Sequence, residues 1–193
     1  MAHRVFFSFH YHDVENFRAN VVRNHWQFQL NREICGYYDA SIWETAKKQG
    51  DIAIKRLING GLEHTSNTCV LIGTETYSRK WIRYEILKSF KRGNHIFGVH
   101  INSIKGRDSL TKPLGANPLL YVGVTFSQAG GSATLWEKTN NEWVEYDKID
   151  GSSTYHTDVD KMFWGKGYNL SNFYKTYDWV KDNGFVNFKN WVI

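Results

Sequence analysis

The sequence contains few of the features that mark disordered or membrane-spanning proteins. Its 193 residues include only 2 prolines and no low-complexity tract, which argues against a linker or a collagen-like chain. No apolar run approaches the roughly 18 residues that a membrane-spanning helix needs. We therefore expect a soluble, cytoplasmic protein that contacts no membrane.

Cysteine is equally scarce. Cys35 and Cys69 are the 2 cysteines, and neither belongs to a Cys-x-x-Cys pair or to a Cys/His spacing typical of a metal site. We interpret both as free thiols, which suits the reducing cytosol. His10, His12 and Asp13 could supply metal ligands, but alternating histidines in a loop are more typical of a surface. We therefore predict no metal site.

Positive charge is in excess but is not concentrated anywhere. The chain has 24 Lys and Arg residues against 19 Asp and Glu residues, a formal net charge of +5. Proteins that bind nucleic acid usually carry basic clusters, and no block of five or six like charges is present here. We expect no nucleic-acid partner, whereas a scattered basic excess suits a polyanionic small molecule such as a dinucleotide.

Several motifs of common enzyme families are missing. The sequence has no G-x-x-x-x-G-K-[ST] loop and no G-x-G-x-x-G segment after its first predicted strand. It also has no G-x-S-x-G elbow and no H-E-x-x-H pair. These absences argue against a P-loop nucleotidase, an ordinary Rossmann dehydrogenase, an α/β-hydrolase and a zinc protease.

Apolar runs alternate with helical stripes over the first half of the chain. Strands are predicted near residues 4–9, 36–40, 68–73 and 95–101. Helices are predicted from residue 13, over 51–62 and over 81–91, and residues 41–50 read as a polar loop. This alternation predicts an α/β fold, with a parallel sheet, right-handed crossovers and helices on both faces.

The second half of the chain has a different pattern. Short β-prone runs joined by Gly and Asn pairs predict an antiparallel meander over about residues 120–148. A last helix is predicted over about residues 171–181, ending at Asn183 and Gly184. We predict one domain over residues 1–193, with a core over about 1–125 and an extension over about 126–193 packed on it.

Candidate functional residues gather where the predicted parallel strands end. In an open α/β sheet the ligand crevice lies at the carboxyl ends of the strands, where residues 8–12, 39–43 and 73–80 should meet. Trp81 and Glu85 are one turn apart near the start of the following helix, off its apolar stripe. Glu85 is a candidate for ribose binding or acid–base work. Spacing alone leaves open a solvated Glu85 that pairs with Lys88 or Arg83.

The segments that carry these residues resemble two conserved boxes of TIR domains. Residues 4–10 with Asp13 are similar to the first box, an apolar strand ending in Ser and an aromatic residue. Residues 71–73, 77–78 and 80–86 are similar to the third-strand segment, which ends in a Trp followed four residues later by a Glu. Residues 41–50 fall where the family's BB loop lies. The resemblance implies a flavodoxin-like TIR fold.

The chain resembles more closely the TIR proteins of the bacterial Thoeris anti-phage defence system (ThsB-like proteins). This similarity covers nearly the whole sequence. The similar segments are residues 4–9, 24–26, 39–44, 55–62 and 83–86 in the first half and 117–118, 143–146 and 177–180 in the second.

What the resemblance implies is an enzyme that consumes NAD+ as its substrate, with no cofactor. Such proteins cleave the bond between nicotinamide and ribose and cyclise the remainder to a cyclic ADP-ribose isomer. That diffusible product activates a partner effector that depletes NAD+, in response to an unknown phage trigger. Glu85 is then the catalytic residue, and self-association through TIR surfaces is expected. The expected substrate-binding residues are Phe7, Ser8, His10, Asp39, Trp43, Trp81 and Tyr84.

A different class of function stays open at this point. TIR domains in several adaptor proteins work as interaction modules that self-associate without turnover, so the fold does not settle the function. A nucleic-acid-binding α/β domain would need basic residues and exposed aromatic residues clustered on one face. The acidic residue retained at Glu85 favours the enzyme.

Overall fold

The computed structural model describes residues 3–15, 17–28, 32–35 and 40–193. The first half contains, in chain order, β1 (His3–Ser8), α1 (Tyr11–Glu15), α2 (Arg18–Gln27), β2 (Arg32–Cys35), α3 (Ala40–Gln49), α4 (Asp51–Leu62), β3 (Asn67–Ile72), α5 (Lys80–Lys91) and β4 (His95–His100). The second half contains β5 (Val122–Phe126), β6 (Ser132–Thr139), β7 (Glu142–Glu145), β8 (Thr154–His156), β9 (Gly167–Asn169), β10 (Thr176–Asp178) and α6 (Gly184–Trp191).

A five-stranded parallel sheet forms the centre of the fold. Its strand order is β10-β4-β3-β1-β2, and every neighbouring pair is parallel. All six residues of β3 are buried, as expected for a strand covered on both faces. The predicted α/β class with a parallel sheet is confirmed. The order 2-1-3-4 is that of the flavodoxin-like folds.

Helices and a second sheet cover the two faces of the parallel sheet. On one face Val5 and Phe7 of β1 pack with Trp26 of α2 and Phe188 of α6. On the other face Phe6 packs into a cluster contributed by α4, α5 and the antiparallel sheet. Neighbouring residues of β1 therefore enter opposite clusters, as the two-residue repeat of a strand requires. Each buried Phe contributes about 2 kcal/mol of hydrophobic stabilisation.

Helix α5 lies between the two sheets. It contacts β1, β3 and β4 of the parallel sheet and β5 of the antiparallel sheet. Its residues Ile82, Ile86 and Leu87 are buried, and Lys80 at its start is at the carboxyl end of the sheet. The predicted helices over 51–62 and 81–91 are confirmed as α4 and α5. The position of α5 decides the geometry of the site described below.

The first predicted helix is divided in two. α1 ends at Glu15, and α2 begins at Arg18 after Phe17, which has a left-handed backbone with φ of 65°. Phe17 and Phe28 are exposed, whereas Val22 and Trp26 are buried. The buried face of α2 is therefore the one that carries Val22 and Trp26.

The region between β1 and α4 corrects one prediction. The structure has a strand at Arg32–Cys35, and the strand predicted over 36–40 falls mainly on residues 36–39, which lie outside the described residues. Residues 41–50 were predicted as a loop, but Ala40–Gln49 form α3. This segment contains no Gly or Pro before Gly50 and includes the helix formers Ala, Glu, Lys and Gln, so the helix is locally favoured. Gly50, with φ of 92°, separates α3 from α4.

The C-terminal region corrects two more predictions. The antiparallel sheet has the order β7-β6-β5-β9, with β8 paired to β6, so it extends beyond residue 148. Residues 171–181 do not form a helix: they include β10, the fifth strand of the parallel sheet. Tyr177 of β10 stacks on Trp191 of α6 with 4.1 Å between ring centroids, a contact distant in sequence that a local pattern does not reveal. Asn183 and Gly184 stand at the start of α6, and not at a helix end.

Two further expectations concern the cysteines and the membrane. Cys69 is a free thiol and is buried, as predicted; the side chain of Cys35 is outside the description. Across the described ranges, no helix has both the length and the apolar character needed to cross a lipid bilayer. The division into a core and an extension stays a prediction.

Candidate active site

The parallel sheet changes its direction of winding between β1 and β3. β2 lies beyond β1 on one side, and β4 lies beyond β3 on the other. The loops that leave adjacent strands at such a point run in opposite directions, which opens a crevice at the carboxyl ends of the strands. Ser8 ends β1, and the segment after β3 leads through a short 3-10 turn, Thr76–Ser78, into α5.

Ser8 and Glu85 meet in this crevice. The Ser8 hydroxyl donates a hydrogen bond of 2.5 Å to Oε2 of Glu85, although the residues are 77 positions apart in the chain. Ser8 is fully buried, and Glu85 is 7% exposed. A short bond to a carboxyl group fixes the orientation of that group, so the Glu85 carboxyl has a defined position at the cavity wall.

Burial changes the acidity of Glu85. Removal from water raises the pKa of its carboxyl group to about 8, and the hydrogen bond from Ser8 opposes this rise only in part. The group is therefore mostly protonated at neutral pH. A positive charge placed beside it would favour the carboxylate. A buried carboxyl whose pKa lies near neutrality is a typical functional group.

Glu85 is in the wall of a cavity of about 430 Å³. That volume lies in the range of small-molecule binding sites. The cavity is open at one side and runs between α3, the segment after β1 and the start of α5. Its lining residues are Phe7, Phe9, His10, Tyr11, Trp43, Lys47, Ser78, Arg79, Lys80, Trp81, Ile82 and Glu85.

Aromatic side chains form much of the cavity wall. Phe7 is fully buried beneath it, and Trp43 of α3 and Trp81 of α5 are partly exposed. The Lys80 ammonium lies 4.7 Å from the centroid of the Trp81 ring, a cation–π contact that holds both side chains. Flat aromatic walls suit a ligand that carries planar rings.

Three cations, Lys47, Arg79 and Lys80, also line the cavity. Each has an acidic partner on the exposed side: Lys47 pairs with Glu44 at 2.8 Å, Lys80 with Asp51 at 3.1 Å, and Arg79 with Glu75. Exposed ion pairs contribute little free energy, so an anionic ligand can replace these partners at small cost. The cavity therefore combines one carboxyl group with a basic rim.

His10 is neutral at physiological pH. Partial burial and, to a smaller extent, the neighbouring Arg79 and His12 lower the pKa of its imidazole to about 4. A neutral imidazole offers one hydrogen-bond donor and one acceptor to a ligand. Within the described ranges, no group of three or more His, Cys, Asp or Glu side chains is arranged to hold a metal ion. That the site works without a metal stays a prediction.

The structure brings most of the predicted site residues together. Phe7, His10, Trp43, Trp81 and Glu85 line the cavity, and Ser8 reaches it through its bond to Glu85. Their roles toward a substrate stay predictions. The predicted site residue Asp39 lies outside the described residues.

Tyr84 is the exception among the predicted residues. Its ring is buried in the core, and its hydroxyl donates a 3.1 Å hydrogen bond to Oδ1 of Asn59 on α4. Burial also raises the pKa of this phenol. Tyr84 is not among the residues that line the cavity. The structure therefore does not bring Tyr84 to the cavity with the other predicted residues, and its contact with a substrate stays a prediction.

Several lining residues were not predicted as site residues, among them Lys47, Arg79 and Lys80. Ser78, Arg79 and Lys80 belong to the segment 73–80 that strand-end reasoning had already selected. Lys47 was missed because residues 41–50 were predicted as a loop. On a helix, Trp43 and Lys47 are one turn apart and share a face, so a correct prediction of α3 would have paired them.

Comparisons with known proteins show what the chain is similar to. The family model described as "Thoeris protein ThsB, TIR-like domain" matches residues 6–105, which include the end of β1 and the whole of β3 and α5. A protein of Bacillus cereus (strain MSX-D12), "Putative cyclic ADP-D-ribose synthase ThsB1", is 50% identical over 194 residues and spans 100% of both chains.

Proposed function

The chain belongs to the family of the Thoeris protein ThsB with its TIR-like domain, and from this premise we propose that it converts NAD+ to a cyclic ADP-ribose. The enzyme would cleave the bond between nicotinamide and ribose and cyclise the remainder. The observation that carries the proposal is the buried Glu85 carboxyl, held by Ser8 at the wall of the cavity. A protein that only self-associates has no need of such a group.

The cavity offers complementary groups for the different parts of NAD+. The basic rim of Lys47, Arg79 and Lys80 suits the pyrophosphate, which carries the negative charge of the substrate. Trp43 and Trp81 suit the planar rings. Nicotinamide in NAD+ carries a positive charge, and bringing it near Glu85 lowers the cost of ionising the buried carboxyl. Substrate binding and activation of Glu85 are thus coupled.

Cleavage of NAD+ breaks the bond between the nicotinamide nitrogen and the ribose carbon C1′. The electron pair stays with the nitrogen, so neutral nicotinamide leaves and positive charge develops on the ribose as an oxocarbenium-like state. Glycoside hydrolysis passes through the same kind of state. The Glu85 carboxylate stabilises the transition state more than the substrate because that charge exists only there. Nicotinamide is a good leaving group, so no strong general acid is needed.

Cyclisation completes the reaction without water. The oxygen of another hydroxyl of the same molecule bonds to C1′, and its proton is released. Glu85 can take up this proton, since the pKa of its carboxyl group is about 8. The products are a cyclic ADP-ribose, nicotinamide and one proton. The aromatic walls support this outcome because they leave little room for water beside the ribose.

We extend the proposal to the biological setting. The cyclic product is the signal that leaves this protein, activates a partner effector in the cytoplasm and leads to depletion of NAD+ after phage infection. Self-association through TIR surfaces would assemble the active form.

Product analysis tests the proposal directly. Purified protein, alone and with lysate of phage-infected cells, is incubated with NAD+, and the products are separated by mass spectrometry. We expect nicotinamide and a cyclic ADP-ribose in equal amounts. Linear ADP-ribose as the main product would contradict cyclisation. Unchanged NAD+ in every condition would favour the module that acts by self-association alone.

A further inference from the structure

Arg83 joins three parts of the chain on the side of α5 that faces away from the cavity. Its Nη1 atom lies 3.2 Å from Oε2 of Glu137 and donates a hydrogen bond of 3.2 Å to Oγ1 of Thr139, both on β6. Its Nε atom donates a longer bond of 3.4 Å to the carbonyl oxygen of Tyr77. A single guanidinium group therefore connects α5, the antiparallel sheet and the turn that precedes α5.

The ion pair of Arg83 is sheltered from water. The side chains of Arg83 and Glu137 are 12% and 11% exposed. Lys148 also donates to Glu137, so two cations neutralise this carboxylate. A sheltered, hydrogen-bonded pair of this kind holds its geometry more firmly than the exposed pairs at the cavity rim.

Aromatic rings reinforce the same junction. The rings of Tyr77 and Tyr121 lie 5.1 Å apart, and the Arg83 guanidinium lies 5.9 Å from the centroid of Tyr121. Tyr121 directly precedes β5, so these contacts also run from the turn to the C-terminal part of the chain. Tyr77 is thus held through both its backbone carbonyl and its ring.

The position of Tyr77 matters because the cavity wall begins at the next residue. Ser78, Arg79 and Lys80 follow it without interruption, and all three line the cavity. Arg83 itself does not line it. Two helical positions separate Arg83 from Glu85, a rotation of about 200°, so the two side chains point to opposite sides of α5. Arg83 can act on the substrate only through the segment that it holds.

We propose that Arg83 is a positioning residue for NAD+ binding. It fixes residues 78–80 to the antiparallel sheet so that Arg79 and Lys80 meet the substrate phosphates. The inference rests on the proposed function for the identity of the substrate. It also gives the C-terminal sheet a role in the activity, since Glu137 and Thr139 anchor a wall of a site that lies in the N-terminal half of the chain.

The test compares Arg83→Met with Asp150→Asn in the full chain. Met keeps an unbranched, flexible apolar side chain but removes every polar contact. Asp150 is a matched control because it also ties α5 to the C-terminal part, through Lys88 at 3.4 Å and Lys91 at 3.2 Å, at a distance from Tyr77 in the sequence. In hydrogen–deuterium exchange we expect the amides of residues 76–82 to exchange at least about tenfold faster in Arg83→Met, with β3 unchanged. In Asp150→Asn the amides of residues 76–82 should exchange at the same rates as in the wild type.

Kinetics supply the second measurement. We expect KM for NAD+ to rise about tenfold in Arg83→Met, with kcat reduced by less than about threefold, because uniform binding is lost while Glu85 and Ser8 remain in place. A KM within about twofold of the wild type, in a folded variant, would overturn the inference. So would faster exchange spread evenly over the chain, which indicates general destabilisation.

A substitute variant and the exchange experiment distinguish a failure of this inference from a failure of the proposed function. If Arg83→Met does not fold, Glu137→Gln takes its place. This substitution weakens the ion pair but keeps a hydrogen-bond acceptor. We then expect smaller increases in the exchange rates of residues 76–82 and in KM. If the wild-type protein turns over no NAD+, the proposed function fails. The exchange experiment then still decides whether Arg83 positions residues 76–82.

Discussion

Ser8 and Glu85 form a hydrogen bond of 2.5 Å across the junction between β1 and α5. Both side chains are buried, and the charged form of Glu85 carries a large desolvation cost. Stability alone would favour apolar residues at both positions. The pair is better explained as part of the site than as part of the core, and five predictions follow from its surroundings.

Replacing Ser8 with Ala should impair the reaction without unfolding the protein. The hydroxyl that orients the carboxyl is lost, and the pKa of Glu85 should rise further because the bond that lowers it is gone. We expect kcat/KM to fall at least about tenfold at neutral pH, measured by nicotinamide release. Ser89→Ala is the matched control: Ser89 is also buried and accepts one side-chain hydrogen bond, from Thr68, but is not in the cavity lining. Equal losses of kcat/KM in both variants would contradict the role assigned to the Ser8 hydroxyl.

Replacing Glu85 with Gln should abolish most of the turnover and leave the fold intact. Gln keeps the size and most hydrogen bonding but cannot become negative, so the oxocarbenium-like state loses its stabilising charge. We expect kcat to fall at least about a hundredfold. The Gln variant should be more thermostable than the wild type above pH 7, because it removes a buried group that must release its proton when the protein unfolds. Full cyclase activity in infected-cell lysate would rule out Glu85 as the catalytic group.

The pH dependence of the reaction follows from the raised pKa of Glu85, about 8. The active form is the carboxylate, so kcat/KM, which reports the free enzyme, should rise with pH, be half-maximal near pH 8 and level off above it. Bound nicotinamide favours the carboxylate, so the profile of kcat should level off at a lower pH. The contribution of Glu85 to the stability of the fold changes with pH in the opposite direction. The folded pKa lies above the unfolded value, so the stability due to this group is present at low pH and is lost as pH rises toward 8.

Replacing Lys80 with Met should weaken NAD+ binding more than it slows the chemical step. Lys80 lies at the cavity rim, and its exposed pair with Asp51 is a weak competitor for a phosphate. We expect KM to rise about fivefold to tenfold with little change in kcat. The difference in KM between the variant and the wild type should shrink at high salt. Lys91→Met serves as control because Lys91 is on the same helix and in an ion pair, with Asp150, but outside the cavity. A lower kcat at unchanged KM would contradict a binding role for Lys80.

Replacing Tyr84 with Phe separates the core from the site. The substitution removes the hydrogen bond to Asn59 and leaves the ring packed. We expect about 1 kcal/mol of lost stability in denaturant unfolding and turnover within about twofold of the wild type. A large loss of turnover at unchanged stability would support the sequence-based expectation that Tyr84 contacts the substrate.

The elements predicted correctly are those with long, strongly patterned sequences. β3 and β4 are buried over most of their length and show continuous apolar runs, whereas α4 and α5 each bury one face and show clear helical stripes. β2 and β10 lie at the two ends of the parallel sheet and have four and three residues, so little apolar sequence marks them. Their position depends on pairing with β1 and β4, which are distant in the chain.

The residues of the candidate site also differ in how clearly the sequence pattern marks them. Phe7, Ser8 and Glu85 were predictable because strand ends and a helix start bring them to one crevice, whatever the details of the loops. Lys47 was not, because residues 41–50 were predicted as a loop, and Arg79 lay in a selected segment but did not differ there from a solvated surface residue. Tyr84 shows the limit of such reasoning, because a shift of one helical position moves a side chain from a cavity to a core.

The pairing of β10 with β4 has a consequence for synthesis on the ribosome. The sequence that forms β1 to β4 is translated first, yet its sheet lacks its fifth strand until Thr176–Asp178 has left the ribosome, several seconds later at ordinary rates of translation. The antiparallel sheet that anchors Arg83 is also made in this interval. A chain whose translation stops early would contain both Ser8 and Glu85 but would lack the residues that hold Arg83 and the fifth strand of the sheet. Nascent chains should therefore spare cellular NAD+ until translation has passed β10.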